Sequence, residues 1–225
     1  MHKNRTVAVK QRLSGHERKA LILEAARGVF LRNGFEHGKT SEIAKGAGVS
    51  EAMVYRHFSS KAALYRAVLR QTIREQNENH AILMSTEQGT AGLIGTLKRY
   101  FEIVVAQREE RMISQFRLIM LSLAGDGSYA SLIYRRALRM TGRSILEALK
   151  QAKEAGDLRG EILDPANTSM FVEHIGTVMS TICALPAAHQ PYGSNQDALV
   201  LSALRFCCRG LGFTEEAITR HLDAG

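Results

Sequence analysis

The fold of this chain is decided by residues 43–61, which read IAKGAGVSEAMVYRHFSSK. A short helical segment ends at Gly48, where glycine permits the left-handed backbone of a tight turn. Ser50 has the side chain of a good N-cap, and Val54 and Phe58 recur four residues apart on the expected buried face of the next helix. Two short helices joined by a glycine turn are typical of a helix-turn-helix motif, whose second helix reads DNA bases.

The basic charge of the chain is concentrated around this motif. Residues 1–80 contain 15 Lys and Arg against 7 Asp and Glu, whereas the remaining residues contain 15 of each class. The formal net charge of +8 therefore belongs to the first third of the chain. DNA favours a concentrated basic surface because each neutralised phosphate releases counterions. A solvated basic surface without a partner is the alternative, but it does not account for the helix-turn-helix pattern.

Length and composition limit the other classes of protein. The 225 residues are 45% hydrophobic and 23% charged, as in an ordinary globular protein. No run approaches the roughly 20 apolar residues of a membrane helix, and residues 1–15 lack the apolar core of a signal peptide, so we expect a cytoplasmic protein. The cysteines at 183, 207 and 208 are odd in number and not spaced as zinc ligands. We therefore expect buried reduced thiols, no metal site and no cofactor.

Helical periodicity continues along the chain and predicts an all-α protein of about nine helices. Residues 1–13 are polar and basic and are expected to form a flexible arm. The first helix is predicted to begin at Ser14, which has capping-box spacing to Glu17, and to stop at Gly34. A fourth helix from Lys61 towards residue 80 is long enough to link two domains. Further helices are indicated near residues 93–105, 112–123, 132–156, 165–182 and 195–211.

The segment from Arg18 to Leu69 closely resembles the DNA-binding domain of TetR-family transcriptional regulators. The resemblance is carried by GF at 34–35, by IA-x-x-AGVS at 43–50 and by VY-x-HF-x-SK-x-x-L at 54–64. In that family a three-helix head is joined through helix 4 to a variable helical domain that binds a small effector, and the protein is a homodimer. The resemblance implies a helix-turn-helix DNA-binding domain at 14–62 and a larger helical ligand-binding and dimerisation domain at 63–225.

The resemblance also implies which residues contact DNA, since the family's recognition helix corresponds to residues 50–58. The full set is Lys39, Thr40, Ser50, Glu51, Ala52, Met53, Tyr55, Arg56, His57 and Lys61. Glu51, Ala52 and Met53 would lie at base edges, where a carboxylate can accept from cytosine but repels phosphate. Tyr55 would touch a phosphate and a base methyl group. The residues expected to hold the phosphate backbone are Thr40, His57 and Lys61.

Two positions depart from the family pattern. Lys39 stands where threonine is frequent, and Ala52 stands where glycine is common. Neither change removes a phosphate contact, because lysine supplies a positive charge. The added methyl group of Ala52 can contact a thymine methyl group.

Two further sets of residues are expected in the helical domain. Candidates for an adaptable effector pocket are Met112, Phe116, Met120, Met140, Met170 and His174. Methionine can equally be core filling, and His174 can cap a buried polar network instead. The eighth and ninth helices are expected to form the dimer interface, with Gly176 permitting close helix contact. The candidates there are Val172, Gly176, Met179, Leu204 and Leu211.

The sequence therefore predicts a DNA-binding transcriptional regulator, in this family usually a repressor, which a small molecule releases from a palindromic operator. An activator is one alternative. The vicinal Cys207 and Cys208 suggest a regulator that responds to oxidants, and a nonspecific DNA-binding protein is a further alternative. We do not expect an enzyme, because the sequence contains no nucleophile elbow, phosphate loop or metal-ligand cluster.

Overall fold

The computed structural model describes residues 14–83, 87–106, 110–125, 127–193 and 195–222, with the side chains of 75–83 and 110–112 left out. The chain divides into two compact units, which meet between Gln71 and Thr72. This boundary falls inside a helix, nine residues after the predicted end of the DNA-binding domain at residue 62. The functional division at residue 62 stays a prediction. The predicted arm at residues 1–13 lies outside the described residues.

The described part of the chain contains ten α-helices, so the prediction of an all-α fold is confirmed. They are α1 (Gly15–His37), α2 (Thr40–Gly46), α3 (Glu51–His57), α4 (Lys61–Leu83), α5 (Gly89–Ala106), α6 (Glu110–Leu123), α7 (Ser128–Glu154), α8 (Pro165–Cys183), α9 (Gln196–Gly210) and α10 (Glu215–Leu222). A single 3-10 turn, Ala187–His189, precedes α9. None of these helices is long and apolar enough to cross a membrane.

The N-terminal unit is built on one apolar core. α1 packs against α2, and α2 packs against α3. Ile22, Phe30, Ile43 and Leu64 are fully buried in this core, because each belongs to the apolar stripe of its helix. Val54 of α3 is also buried, and this fixes which side of α3 is left for solvent.

The start of α1 and a break within it follow the predicted sequence signals. The Ser14 hydroxyl accepts from the Glu17 backbone amide at 3.1 Å, and the Glu17 carboxylate accepts from the Ser14 amide at 2.7 Å. This is the predicted capping box, and its hydrogen bonds lower the pKa of Glu17. The helical backbone is interrupted at Gly34, where φ is 70°. Gly48, with φ of 64°, makes the turn between α2 and α3.

The C-terminal unit is arranged around α5. This helix packs against α7, α8, α9 and α10, while α6 packs against α7 and α8. Phe101 and Val104 of α5 are fully buried together with Leu204 of α9 and Ile218 of α10. Because α5 has neighbours on several sides, it lines any cavity that lies between those helices.

The sequence indicated about nine helices and did not indicate α10. Gly212, with φ of 89°, turns the chain after α9, and Phe213 then pairs with Leu158 in an isolated antiparallel bridge. The buried Asp157 anchors the following helix through tertiary hydrogen bonds. Its carboxylate accepts from the Thr90 hydroxyl at 2.8 Å and from the Arg220 guanidinium at 3.1 Å. The helix is only eight residues long, so its apolar stripe repeats too few times to stand out in a reading of the sequence.

Candidate DNA-binding surface and ligand cavity

The predicted recognition helix, α3, is held by its cap and by two buried side chains. The Ser50 hydroxyl accepts from the Met53 backbone amide at 3.2 Å, as the sequence predicts for an N-cap. Val54 and Phe58 are buried, with 1% and 6% of their surface exposed. The remaining side chains divide into an exposed group, Glu51, Ala52, Tyr55 and Arg56, and a half-buried pair, Met53 and His57.

A polar contact joins the start of α2 to this exposed side of α3. The Thr40 hydroxyl donates to the Glu51 carboxylate and lies 3.3 Å from the Tyr55 hydroxyl. Three of the predicted DNA-contacting residues therefore lie together before any DNA binds. The contact orients the Glu51 carboxylate and the Tyr55 ring relative to each other, which reduces the side-chain entropy that binding would cost.

Lys61 lies at the opposite end of the motif, beside the turn between α1 and α2. Its ammonium donates to the Glu36 carbonyl at 2.9 Å and lies 4.9 Å from the centre of the Phe35 ring. The aromatic face and the carbonyl together hold the charge in place. With residues 36–41, which include the exposed Glu36 and Lys39, it lines an open cleft.

A cavity of about 460 Å³ lies inside the C-terminal unit, between α5, α7 and α8. Its apolar lining consists chiefly of Leu93, Leu97, Ile145, Met170, Val172 and Leu211. Polar side chains line the rest of the wall, notably Thr96, Thr141, Ser144, Gln151 and Glu173. A space of this size, mostly apolar and with a few polar groups, is typical of a small-molecule site.

Tyr100 and Glu173 meet at the wall of this cavity. The Tyr100 hydroxyl donates to the Glu173 carboxylate at 3.1 Å, and the Thr177 hydroxyl lies 3.5 Å from the other carboxylate oxygen. Burial raises the pKa of Glu173, although both hydrogen bonds act to lower it. Burial, and then the negative charge of Glu173, raise the pKa of Tyr100 well above its ordinary value.

Gly176 explains how the Tyr100 side chain reaches α8. A Cβ atom at residue 176 would lie 2.0 Å from the Tyr100 hydroxyl oxygen, well inside van der Waals contact. The absence of a side chain therefore lets the phenol lie directly on α8, within reach of Glu173. Gly176 thus allows α5 and α8 of the same chain to approach closely. From the sequence, Gly176 is instead predicted to permit a close helix contact between two subunits.

The sequence of the N-terminal unit matches a known family. Residues 22–68 match the family described as bacterial regulatory proteins, tetR family. The transcriptional regulator UidR of Escherichia coli (strain K12) is 42% identical over 149 residues, which are 66% of this chain and 71% of UidR. The chain belongs to the TetR family. This TetR-family chain is a DNA-binding transcriptional regulator.

The TetR-family chain is also similar to a curated activator over a short segment and to a solved structure over most of its length. The transcriptional activator FasR of Mycolicibacterium smegmatis is 45% identical over 62 residues, which are only 28% of either chain. The crystal structure of AibR in complex with isovaleryl coenzyme A and operator DNA covers 88% of this chain and all of AibR, with a TM-score of 0.62 and 19% identity. At that identity the likeness concerns the fold.

The residues predicted to bind an effector lie at different places in the TetR-family chain. Met170 lines the cavity, Phe116 is buried in the core and Met120 is half-buried. Met140 is 43% exposed. His174 is also exposed and packs edge-on against the Tyr134 ring, with centroids 5.2 Å apart. The side chain of Met112 lies outside the described residues.

The polar residues of the cavity wall were not found from the sequence. Glu173 stands in the apolar stretch Met170-Phe171-Val172-Glu173, and an acidic residue in such a stretch is a signal that it faces a polar group or a cavity. Tyr100 gave no comparable signal, because its role depends on Gly176, which lies 76 residues later in the chain.

The residues predicted for the dimer interface lie inside the protomer. Met179 and Leu204 are 6% and 1% exposed and belong to the core, while Val172 and Leu211 line the cavity. Their burial follows from the side of α8 and α9 that faces α5. The same two helices expose other large apolar side chains, namely Phe171, Val178, Leu201 and Phe206, which are 62%, 43%, 39% and 68% exposed.

The cysteines lie in an environment that suppresses thiolate formation. Burial raises the pKa of Cys207 to about 11 and that of Cys208 to about 12. Cys183 is half-buried, and its pKa is also raised by burial. Since the thiolate is the reactive form, these values disfavour the oxidant-responsive alternative. The described residues include no group of histidine, cysteine and acidic side chains that could hold a metal ion.

Replacing Lys61 by methionine tests the cleft as a phosphate contact. We expect affinity for specific and random DNA to fall alike, and the slope of log affinity against log salt to decrease by about 0.9 per bound subunit. Fluorescence anisotropy with labelled duplexes between about 50 and 200 mM salt measures that slope. Lys153→Met, at an exposed position of α7, is the matched control. An unchanged slope in Lys61→Met would contradict the assignment, provided its melting temperature is retained.

The raised pKa of Glu173 predicts how stability depends on pH. The carboxyl group of Glu173 holds its proton more tightly in the native protein than in the unfolded chain, where its ordinary pKa is 4.5. The free energy of unfolding therefore falls as the pH rises from 4.5 through the native pKa, because the buried group must then ionise. Glu173→Gln keeps an acceptor for Tyr100 and removes this cost. Its melting temperature should exceed that of the unchanged protein at pH 8, and the excess should shrink towards pH 4.5. Glu102→Gln, an exposed control on α5, should show no such trend.

Proposed function

We propose that the protein is a homodimeric repressor that binds a palindromic operator and is released from it by a small-molecule effector. The observation that carries this proposal is the cavity of about 460 Å³ between α5, α7 and α8. It belongs to a different compact unit from the helix-turn-helix, so a ligand there would act on DNA binding indirectly. AibR, whose structure contains both a coenzyme A ester and operator DNA, provides an example with this fold.

The mode of DNA binding follows from α3 and its surroundings. Glu51, Ala52 and Tyr55 are exposed on one short helix, and Thr40 holds two of these side chains together. In a dimer, two copies of α3 would enter successive major grooves about 34 Å apart and read an inverted repeat. Lys39 and Lys61 would neutralise phosphates beside each groove.

The proposed dimer uses the exposed faces of α8 and α9. Phe171 and Val178 are seven residues apart and therefore lie on one side of α8, and Phe206 is the most exposed large apolar residue described. Exposed apolar side chains on neighbouring helical turns are typical of a protein interface. The interface is thus assigned to Phe171, Val178, Leu201 and Phe206.

The effector would act by shifting a conformational equilibrium. A ligand that binds one conformer better favours that conformer, and this conformer would hold the two recognition helices at a spacing that fits DNA less well. Coupling between two binding sites is reciprocal, so operator DNA must weaken effector binding by the same factor.

An activator is the second candidate function. FasR, which resembles this chain over 28% of its length, is named an activator. The two candidates share the DNA contacts and the cavity, and they differ in where the operator lies relative to the promoter.

Sequencing the genomic fragments bound by the purified full-length protein tests the proposed function. We expect an inverted repeat with half-sites one helical turn, about 10 base pairs, or a multiple of it apart. Placing that operator in a reporter promoter then distinguishes the repressor from the activator by the sign of the change. Enrichment no greater than for random fragments at about 150 mM salt would contradict specific recognition.

Charge substitution in the exposed apolar face tests the dimer. Phe206→Glu should give a monomer in sedimentation at about 10 µM, because burying an unpaired carboxylate in an interface costs several kcal/mol. It should also lose affinity for the inverted repeat. Leu163→Glu replaces another exposed apolar residue, 55% exposed and outside α8 and α9, and should remain a dimer. A dimeric Phe206→Glu would contradict the assigned interface.

A further inference from the structure

The charge of the cavity wall is of one sign. Three carboxylates line the cavity, those of Glu87, Glu147 and Glu173, and the described residues of its lining include no lysine, arginine or histidine. Glu87 and Glu147 are exposed, and they lie where the cavity meets solvent. Glu173 is only partly exposed. The ionisable side chains of the described cavity lining are therefore all acidic apart from the phenol of Tyr100.

No positively charged side chain among the described residues is paired with Glu173. Its carboxylate accepts from the Tyr100 hydroxyl at 3.1 Å and has the Thr177 hydroxyl at 3.5 Å, and both of these groups are neutral. A carboxylate withdrawn from water is stabilised in its charged form by a positive partner, and without one its pKa rises, as that of Glu173 does. Because Glu173 lines the cavity, a positively charged group bound in the cavity can reach its carboxylate.

The rest of the lining defines the shape of the partner. Leu93, Leu97, Ile145, Val172 and Leu211 give the wall a large apolar area, and the volume of about 460 Å³ suits a compact organic molecule. An inorganic cation would leave this apolar surface uncovered. An anionic ligand would meet three carboxylates and no cation.

We propose that the effector of this protein is an amphipathic organic cation, with its apolar body against α5 and α7 and its ammonium group beside Glu173. This proposal rests on the proposed function and names the chemical class of its ligand. It separates the chain from AibR, whose bound isovaleryl coenzyme A is an anion. The ammonium group would take the place of the missing charge partner of Glu173, while Tyr100 keeps the carboxylate in position.

Three compounds that share an apolar body test the proposal by isothermal titration calorimetry on the full-length protein at pH 7.5. They are 4-phenylbutylamine, which is a cation at this pH, the neutral 4-phenylbutan-1-ol and the anion 4-phenylbutyrate. We expect the amine to bind about tenfold more tightly than the alcohol, because its hydrogen bond to the carboxylate is charge-assisted. The butyrate should bind more weakly than the alcohol.

Two variants attribute this preference to Glu173. In Glu173→Gln the ratio of amine to alcohol affinity should fall to near one. Glu102→Gln removes an exposed carboxylate of α5 outside the cavity and should keep the ratio of the unchanged protein. Equal binding of amine and alcohol, tighter binding of the butyrate, no detectable binding of the amine, or a preference that survives Glu173→Gln would each overturn the proposal.

The proposed function fails by a different result. If the ligand-free protein showed no sequence-specific DNA binding, the proposed repressor function would be refuted. The calorimetric comparison of the three compounds would be unaffected by that result. If the amine binds with the expected preference and operator affinity stays constant, the ligand class stands and release by the effector is refuted.

Discussion

The C-terminal unit depends on the close approach of α5 and α8 at Tyr100 and Gly176. A single methyl group at residue 176 would overlap the phenol, so the position of the ring on α8 requires glycine there. Phe101 and Val104, next to Tyr100 in the chain, fill the core between α5 and its other neighbours. Moving the Tyr100 ring off α8 would therefore change the contact between α5 and α8. The same contact places the Tyr100 hydroxyl on Glu173, so the packing of the unit and the chemistry of the cavity share one constraint.

The sequence was sufficient for the N-terminal unit because its determinants are local. The capping box at Ser14, the turn glycine at 48 and the spacing of Val54 and Phe58 each act within a few residues, and the structure shows each of them as predicted. The hydrogen bond between Thr40 and Glu51 joins residues 11 apart in the chain. It was not foreseen, since the angle between α2 and α3 decides it.

The C-terminal unit could be predicted only as a series of helices. Periodicity identifies the apolar stripe of α8 and α9 but does not say whether a residue faces α5, the cavity or solvent. Periodicity alone therefore does not separate Met179 and Leu204, which are buried, from Phe171 and Phe206, which are exposed. Methionine was likewise a poor guide to the cavity, because its flexible side chain fits a core, a pocket or the surface. A charged residue in an apolar stripe, as at Glu173, carries more information.

In the DNA complex that we propose, Glu51 would weaken binding overall and at the same time increase its specificity. A carboxylate that faces the duplex is repelled by every phosphate backbone alike, whereas the hydrogen bond that it can accept from a cytosine amine exists only at a matching base. The basic residues of the N-terminal unit would attract the DNA phosphates whatever the base sequence. The repulsion from Glu51 would offset part of this attraction without abolishing binding. Thr40 would add to this effect in the proposed complex, because a contact with a base would have to replace its hydrogen bond to Glu51 by one of equal quality. A mismatched base would leave the carboxylate either on Thr40 or unpaired in the groove, and both outcomes favour release.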